Sequence, residues 1–214
     1  MTNTIKITIL ALLSAAGALM AGALDKVPLA NGGFERPLAP AEWNFLRDGP
    51  DWNGFDVIAT TSHIEIDPTT AAEGRSSLKV WSVGAATLVS APVPGQGGEW
   101  RLCGQTRTEA LKPGRFPEYG GAVQLVGLDQ DGNIIAHQDA KLLSGTRPWE
   151  PFACRAAFPA TVKQVQVWIR LFQGATGTFW VDGLTLDPIP HPGIAGTKTN
   201  YELSPAEAQR RGEK

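Results

Sequence analysis

One alternating run of side chains has the chemistry of a ligand-binding surface. Every second position of the segment 164–172 carries a polar or aromatic side chain, and the positions between them are apolar. The first set comprises Gln166, Trp168, Arg170 and Phe172. In a β-strand such a period of two places the two sets on opposite faces. Because aromatic rings stack on pyranose rings, and amide and guanidinium groups hydrogen-bond sugar hydroxyls, the pattern predicts one core face and one sugar-binding face.

Two further segments carry side chains that would extend this face. In the segment 100–108, Gln105 and Arg107 alternate with other residues, and they would join the same surface if both strands lie in one sheet. Gln124, in the segment 121–128, is a weaker candidate. The alternative interpretation is that Trp168 and Phe172 pack beneath a loop or the C-terminal tail. The sequence leaves both interpretations open.

The elements that would position these side chains are strands. The chain has 214 residues, which suits one domain, and it contains 24 glycines, 16 prolines and only 19% charged residues. Extended segments separated by turn signals are predicted at 56–66, 77–83, 87–91, 100–108, 121–128, 134–142, 152–158, 164–172 and 177–186. Regular strand spacing without helices between the strands predicts an all-β fold, a jelly-roll β-sandwich of two antiparallel sheets.

The two ends of the chain differ from the segment between them. Residues 1–23 combine one lysine, an apolar run and a small-residue end at Ala21-Gly22-Ala23, which predicts a secretory signal peptide. The apolar run of about 14 residues is short for a bilayer span of roughly 20, so an uncleaved anchor is the alternative. Residues 24–187 would form the sandwich, and 188–214 a proline-rich linker and mobile tail. We therefore expect a secreted or periplasmic protein without a membrane span after signal removal.

Charge and motif content exclude several classes of function. The net charge of −2 offers no basic excess for a nucleic acid. The sequence contains no G-x-S-x-G, H-E-x-x-H or P-loop pattern, and its three histidines and two cysteines leave little material for a zinc site. A lyase with Tyr119 or His137 as base beside Arg107 or Arg170 is the least excluded chemistry. The sequence therefore favours a protein that is not an enzyme.

The two cysteines, Cys103 and Cys154, lie in separate predicted strands. Export would place them in an oxidising compartment, where a disulfide can persist. The bond requires the two strands to be neighbours and both side chains to point to one face. We expect this disulfide, with two buried, unpaired thiols as the alternative.

Three motifs in a fixed order carry a resemblance to a known family. Asn31-Gly32-Gly33-Phe34-Glu35 opens the domain, E-G-R-S-S-L-K-V at 73–80 lies in the middle, and G-T-F-W-V-D-G-L-T-L at 177–186 closes it. With Trp43 and Trp149 between them, these motifs resemble cellulase-C-type carbohydrate-binding modules, the group of families four, nine, sixteen and twenty-two. The resemblance covers about residues 29–187. It implies a galactose-binding-domain-like jelly roll that binds polysaccharide chains without cleaving them.

The resemblance also implies a structural Ca²⁺ ion. Carried over by match, its side-chain ligands would be Glu35 and Asp182, with backbone carbonyls near Gly33 and Lys79. Ca²⁺ accepts such mixed carboxylate and carbonyl shells. Gly183 stands where members of the family often have a second acidic residue, which leaves one fewer carboxylate. The alternative is that Glu35 and Asp182 hydrogen-bond backbone or basic groups at the sandwich edge.

Two functional hypotheses follow from the sequence. The first is an exported, non-catalytic module that binds a polysaccharide or oligosaccharide on one sheet face. The second is a structural or protein-interaction β-sandwich of the cell envelope or surface, with a protein partner instead of a glycan. An exposed aromatic face would favour the first hypothesis, and a covered face would favour the second.

Overall fold

The computed structural model describes residues 29–45, 63–95 and 97–189. These residues form strands and no helix. The strands are β1 (Trp43–Phe45), β2 (His63–Asp67), β3 (Ser77–Ser90), β4 (Val93–Pro94), β5 (Gly98–Lys112), β6 (Gly121–Leu128), β7 (Ile134–Leu143), β8 (Gly145–Phe158) and β9 (Gln164–Ile189). The predicted all-β sandwich is confirmed. The predicted signal peptide, the tail beyond residue 189 and the first part of the predicted strand 56–66 lie outside the described residues.

Two long strands, β3 and β9, build both layers of the sandwich. The first layer has the order β2–β3–β9–β5–β8, and the second has the order β1–β3–β9–β6–β7, with all pairs antiparallel. β9 uses residues 164–171 in the second layer and 175–189 in the first. β3 changes layer where its register shifts, between Gly84 and Ala86. The segments predicted as separate strands at 77–83 and 87–91, and at 164–172 and 177–186, are therefore two continuous strands.

The core lies between the two layers and follows the period-two alternation of the strands. The second layer contributes Val123 and Leu125 of β6 and the apolar positions of β9, which are Val165, Val167, Ile169 and Leu171. The first layer contributes Leu102, Phe179, Val181 and Leu186. Full burial of one such side chain stabilises the fold by roughly 1.5–3 kcal/mol. A slip of one residue would turn each strand's apolar set to solvent, so this core fixes the register.

β9 continues to Ile189, past the domain end expected at residue 187. Pro188 lies opposite Trp100 of β5 there. The pairing of β9 with β3 ends at Val181, so at Pro188 no strand of the described residues pairs with the other side of β9. Proline is tolerated on such an edge because the missing N–H faces away from the ladder.

The opening motif is fastened to β9. The Leu184 amide donates a hydrogen bond to the Gly32 carbonyl at 2.9 Å. A Cβ at Gly32 would lie 2.2 Å from the Leu184 carbonyl oxygen, so only glycine permits this approach. The Phe34 and Trp43 rings lie with their centroids 5.3 Å apart, and Trp43 Nε1 donates to the Ala30 carbonyl at 2.9 Å. The motif therefore closes one end of the core.

Candidate functional site

The outer surface of the second layer carries the polar and aromatic side chains that alternate with the apolar ones in the segment 164–172. Gln166, Trp168 and Arg170 are half-buried there, while the residues between them in β9 are buried in the core. Neighbouring positions on β6 and β7 complete the surface. We call it the Trp168 face, and it comprises Gln124, His137, Asp139, Gln166, Trp168 and Arg170. Most of these residues, with Val126 and Ile134, line a shallow pocket on the face.

Trp168 is held in one orientation by its own strand. Its Nε1 donates a hydrogen bond to Gln166 Oε1 at 3.1 Å. Gln166 Nε2 in turn donates to the Ser90 carbonyl of β3 at 3.0 Å. The indole ring is thereby positioned before any ligand arrives, which lowers the entropy cost of binding.

A hydrogen-bonded pair supports the other side of Trp168. Gln124 lies directly opposite Trp168 on β6 and opposite Asp139 on β7. Its Nε2 donates to Asp139 Oδ1 at 2.7 Å, and the residue is only 7% exposed. Gln124 therefore positions Asp139 more than it offers contact surface of its own. Asp139 is half-buried and brings a carboxylate acceptor to the face.

His137 lies on the same face, opposite Val126 of β6, with its ring partly desolvated by its neighbours and the rest of the residue exposed. Burial lowers the pKa of His137 below its usual value; the charge of Asp139 raises it, and the Arg170 guanidinium lowers it. The imidazole is therefore neutral at pH 7, with one nitrogen as donor and one as acceptor. A sugar hydroxyl, which both donates and accepts, suits such a group.

An aromatic cluster ends the face beyond Arg170. The Arg170 Cζ atom lies 5.8 Å from the centroid of the Trp168 ring and 5.3 Å from that of Phe172. Phe116 and Tyr119 pack edge-on against Phe172, with centroid distances of 4.9 and 5.4 Å, and they stack on each other. Arg170 thus lies within cation–π distance of rings on both sides.

Phe172 corrects one sequence-based expectation. It lies on the predicted outer side of β9 but is only 7% exposed, because the loop between β5 and β6 covers it. It supports the rings of Phe116 and Tyr119 and does not itself present a surface to a ligand. The sequence reasoning missed these two rings as surface groups, since loop positions have no strand period. Two aromatics three residues apart in the proline- and glycine-rich stretch 113–121 were the available signal.

Gln105 and Arg107 lie elsewhere than expected. They belong to the first layer, where Gln105 is opposite Asp182 and Arg107 opposite Trp180 of β9. The Arg107 Cζ atom lies 4.8 Å from the Trp180 ring centroid. Gln105 Nε2 donates to Glu73 Oε1 at 3.0 Å. Because β9 changes layer between residues 171 and 175, its two halves belong to different outer surfaces, and Gln105 and Arg107 do not extend the Trp168 face.

The expected disulfide is wrong. β5 and β8 are neighbours, but Cys103 lies opposite Ala153 and Cys154 lies opposite Leu102. Directly opposed residues point to the same side of a sheet, so the two sulfurs are on opposite faces. Both cysteines are free thiols. Burial raises the pKa of the Cys154 thiol, and nearby Asp139 raises it further, so this thiol stays protonated at neutral pH.

Glu35 and Asp182 lie against one loop, residues 70–76. Asp182 is fully buried, and its Oδ2 accepts hydrogen bonds from the amides of Ala72 and Glu73 at 2.8 and 3.0 Å. Glu35 Oε1 accepts from the amide of Arg75 at 2.9 Å. Burial raises the pKa of Asp182; the amide donors oppose this, and the Glu35 charge adds to it.

As hard oxygen donors these two carboxylates fit Ca²⁺ in type. The described residues contain no group of three or more His, Cys, Asp or Glu side chains placed to hold a metal ion. A Ca²⁺ ion would therefore depend on backbone carbonyls for much of its shell. The Lys79 side chain takes no part, since it lies 4.6 Å from the centroid of the Trp81 ring and 3.8 Å from Glu65.

Comparison with known proteins supports the fold. No family model and no curated protein matches the sequence. Among solved structures, the CBM22-1 xylan-binding domain of Paenibacillus barcinonensis Xyn10C superposes with a TM-score of 0.51 at 9% identity, over 78% of this chain and 97% of that one. The enzymatically active domain of bacteriophage CBA120 tailspike protein 4 also has a TM-score of 0.51, at 14% identity. That match covers 75% of this chain but 21% of the tailspike chain.

The similar structures are mainly carbohydrate-binding modules. The tandem CBM22-1-CBM22-2 domain of the same Xyn10C matches with a TM-score of 0.50 at 11% identity, over 80% of this chain and 49% of that one. The protein therefore has the jelly-roll β-sandwich fold that these carbohydrate-binding modules share. Within the part of the chain that the structure describes, no helix is long and apolar enough to cross a membrane.

Proposed function

We propose that the protein is an exported, non-catalytic carbohydrate-binding module that holds a polysaccharide or oligosaccharide on the Trp168 face. The observation that carries this proposal is the pre-oriented, half-buried ring of Trp168, flanked by hydrogen-bonding groups on an otherwise well-packed strand surface. A ring in this position offers a pyranose a flat apolar surface. The fold shared with carbohydrate-binding modules adds independent support.

Each group on the face has a role in this proposal. Trp168 stacks on one sugar ring, and the half-buried rings of Phe116 and Tyr119 offer a second surface beyond Arg170. Arg170 donates to hydroxyl or ring oxygens between the two ring surfaces. Neutral His137 and the carboxylate of Asp139 accept from hydroxyls on the β7 side. From Trp168 to Phe172 the strand rises about 13 Å, so an oligosaccharide fits along β9 better than a single sugar.

The chemistry of the face supports binding without cleavage. Glycoside hydrolysis by the common route needs two carboxyl groups flanking the scissile bond. Among the described residues of the Trp168 face, Asp139 is the carboxylate, and Gln124 already hydrogen-bonds it. The fold alone does not separate the two possibilities, since one similar structure is an enzymatically active tailspike domain. An assay for sugar fragments released from the glycan is therefore needed in addition to the binding experiment.

Affinity electrophoresis tests the proposal. The protein from about residue 24 is run through gels that contain soluble polysaccharides of different backbones, beside Trp168→Ala and Trp81→Ala variants. Trp81 is also half-buried but lies on β3 in the first layer, so it is the matched control. Retardation by one glycan, lost in Trp168→Ala and kept in Trp81→Ala, is the expected result. Retardation by no glycan, or equal loss in both folded variants, contradicts the proposal and favours the protein-interaction alternative.

We also propose that a structural Ca²⁺ ion is held by Glu35 and Asp182. Both carboxylates lie against the loop 70–76, and the raised pKa of Asp182 reflects a buried charge that a cation would compensate. Such an ion would add to the hydrogen bond between Gly32 and Leu184 in joining the N-terminal segment to β9.

A further inference from the structure

A polar pocket opens at the edge of the sandwich, where β7 turns into β8. Its volume is about 210 Å³. Its polar lining consists of Thr106, Thr108, Lys141, Ser144, Arg147 and Glu150. None of these residues lines the pocket on the Trp168 face, so the two pockets are separate.

The lining is unusual because it faces the inside of the sandwich. On β5, Trp100 and Leu102 point into the core, and Thr106 and Thr108 continue this inward row at 2% and 3% exposure. On β7, Lys141 lies opposite Val123, which is itself a core residue. Polar groups in such positions cost free energy unless they are hydrogen-bonded. The Thr108 hydroxyl meets this need by donating to the Ser144 carbonyl at 3.5 Å, and the Lys141 ammonium meets it by donating to Glu150 Oε2 at 3.3 Å. This edge of the inner surface therefore carries polar groups that are hydrogen-bonded at the pocket wall.

The charges at the pocket leave a positive excess. Glu150 Oε2 lies 3.3 Å from Lys141 Nζ, and Glu150 Oε1 lies 3.8 Å from Arg147 Nη1. The single carboxylate of Glu150 is thus paired with two cations, which leaves one net positive charge among the three side chains. The Arg147 side chain is 64% exposed, and ion pairs at such exposure contribute little to stability because solvent screens them. The carboxylate of a ligand can therefore replace Glu150 as the partner of Arg147 with little loss of free energy.

The size and shape of the pocket select a small ligand. Its volume of about 210 Å³ lies below the roughly 300–1,000 Å³ of sites for drug-sized molecules, so it suits one ring and not a chain. Glu150 remains at the wall and would repel a ligand with two negative charges. The Thr106 hydroxyl offers a donor and an acceptor to neighbouring hydroxyl groups, and the Thr108 hydroxyl, which donates to the Ser144 carbonyl, offers an acceptor.

We propose that this edge pocket binds a hexuronic acid, either free or at the end of a glycan chain. The sugar carboxylate pairs with the Arg147 guanidinium, whose planar donors suit a carboxylate, and Lys141 adds a second cation. The sugar hydroxyls hydrogen-bond Thr106, Thr108 and Glu150. This pocket is separate from the Trp168 face and would bind a uronic acid whether or not that face binds a glycan.

NMR titration of the ¹⁵N-labelled protein tests this inference. The probes are D-galacturonic acid, D-glucuronic acid, neutral D-galactose, acetate, inorganic phosphate and trigalacturonate. Arg147→Gln is compared with Arg155→Gln, a matched change on the same strand at 67% side-chain exposure, where the arginine also pairs with a glutamate, Glu99. Trp168→Ala is titrated in parallel to separate the two sites.

The expected result is that a uronic acid shifts the amide signals of 106–108 and 141–150. We expect Arg147→Gln to weaken this binding about tenfold or more, since it removes a charge-assisted bidentate contact, and Arg155→Gln and Trp168→Ala to leave it unchanged. If the free uronic acids shift the same signals as trigalacturonate does, one sugar ring is sufficient for binding. Binding of trigalacturonate alone that disappears in Trp168→Ala assigns the signal to the Trp168 face and overturns the inference. An equal response to galactose or acetate, stronger binding of phosphate, equal loss in Arg155→Gln, or no response overturns it as well.

Discussion

Trp168 Nε1 and Gln166 Oε1 lie 3.1 Å apart on the outer side of β9, two residues from each other along one strand. Gln166 also donates to the Ser90 carbonyl of β3, so the indole ring is coupled to a neighbouring strand through one amide. A side chain on the proposed binding surface is thereby fixed by another side chain of the same face.

This coupling predicts the effect of Gln166→Ala. The variant keeps the Trp168 ring but frees its orientation, so we expect glycan affinity to fall about three- to tenfold with little loss of stability. Gln164→Ala is the control, because Gln164 lies on the same side of β9 but two residues further from Trp168 than Gln166. Isothermal titration with the retarding glycan measures both. Equal affinity of Gln166→Ala and the wild type would show that the ring needs no such support.

Alanine substitutions at Phe172 and Tyr119 should differ in their effects on the stability of the fold and on glycan affinity. Phe172→Ala removes a buried ring, so we expect a loss of about 3–5 kcal/mol in the free energy of unfolding. Tyr119→Ala removes a half-buried ring from the surface, so we expect weaker glycan binding and a smaller loss of stability. Urea unfolding measured beside glycan affinity distinguishes the two. Unchanged binding in Tyr119→Ala would limit the site to the Trp168 end.

The cysteines should remain thiols even in an oxidising compartment. Cys103 and Cys154 point to opposite faces of the sheet, so a bond between them would require the backbone to move. Thiol titration of the exported protein in denaturant, without reductant, should find both sulfurs reactive. A Cys103→Ser variant should have half the titre and unchanged mobility on a non-reducing gel. Complete absence of reactive thiol in the wild type would contradict the pairing of β5 with β8.

The proposed Ca²⁺ ion should raise thermal stability at neutral pH. At a concentration one hundredfold above Kd, linkage gives about 2.7 kcal/mol, or roughly 5–10 °C for a domain of this size. Because burial raises the folded-state pKa of Asp182 above 3.8, the folded protein without the ion loses stability as pH rises from the unfolded to the folded value. Ca²⁺ binds the charged carboxylate, so its effect should fade on acidification through the same window.

Differential scanning calorimetry with Ca²⁺ and with chelator, at neutral and acidic pH, measures this effect. Asp182→Asn keeps an acceptor oxygen for the loop amides but removes the charge, and it should abolish the Ca²⁺ response. Asp187→Asn is the control on the same strand, where the carboxylate pairs with Arg101. Identical melting temperatures with Ca²⁺ and chelator would leave Glu35 and Asp182 as acceptors for backbone amides alone.

Glycan binding should weaken on acidification through His137. Its folded-state pKa lies below 6.5, because burial disfavours the charged ring. Affinity should therefore change little at neutral pH and fall on acidification through the lowered pKa of His137, where protonation removes the acceptor nitrogen and places a charge beside Arg170. The same shift makes the folded state gain stability as pH rises from the folded pKa toward 6.5. NMR titration of the His137 ring measures its pKa, and a value above 6.5 would contradict the expected direction. Glycan affinity of the His137→Gln variant, measured over the same pH range, should lack the decrease on acidification.

The sequence by itself determined the features that depend on local geometry. The alternation in 164–172 separated the core residues of β9 from Trp168 and its neighbours, because a strand turns successive side chains to opposite sides wherever it lies. The opening motif Asn31–Glu35 and the closing motif 177–186 were likewise visible in the sequence. In the structure they meet where the Leu184 amide donates a hydrogen bond to the Gly32 carbonyl.

Only the tertiary structure decided which strands are neighbours, in which register and in which layer. β9 changes layer within its length, which separates Arg107 from Arg170 although both lie on outward positions. A register in which Cys103 faces Ala153 put the two sulfurs on opposite sides. The loop carrying Phe116 and Tyr119 covered Phe172. These outcomes depend on long-range packing of one core, which no local period of the sequence records.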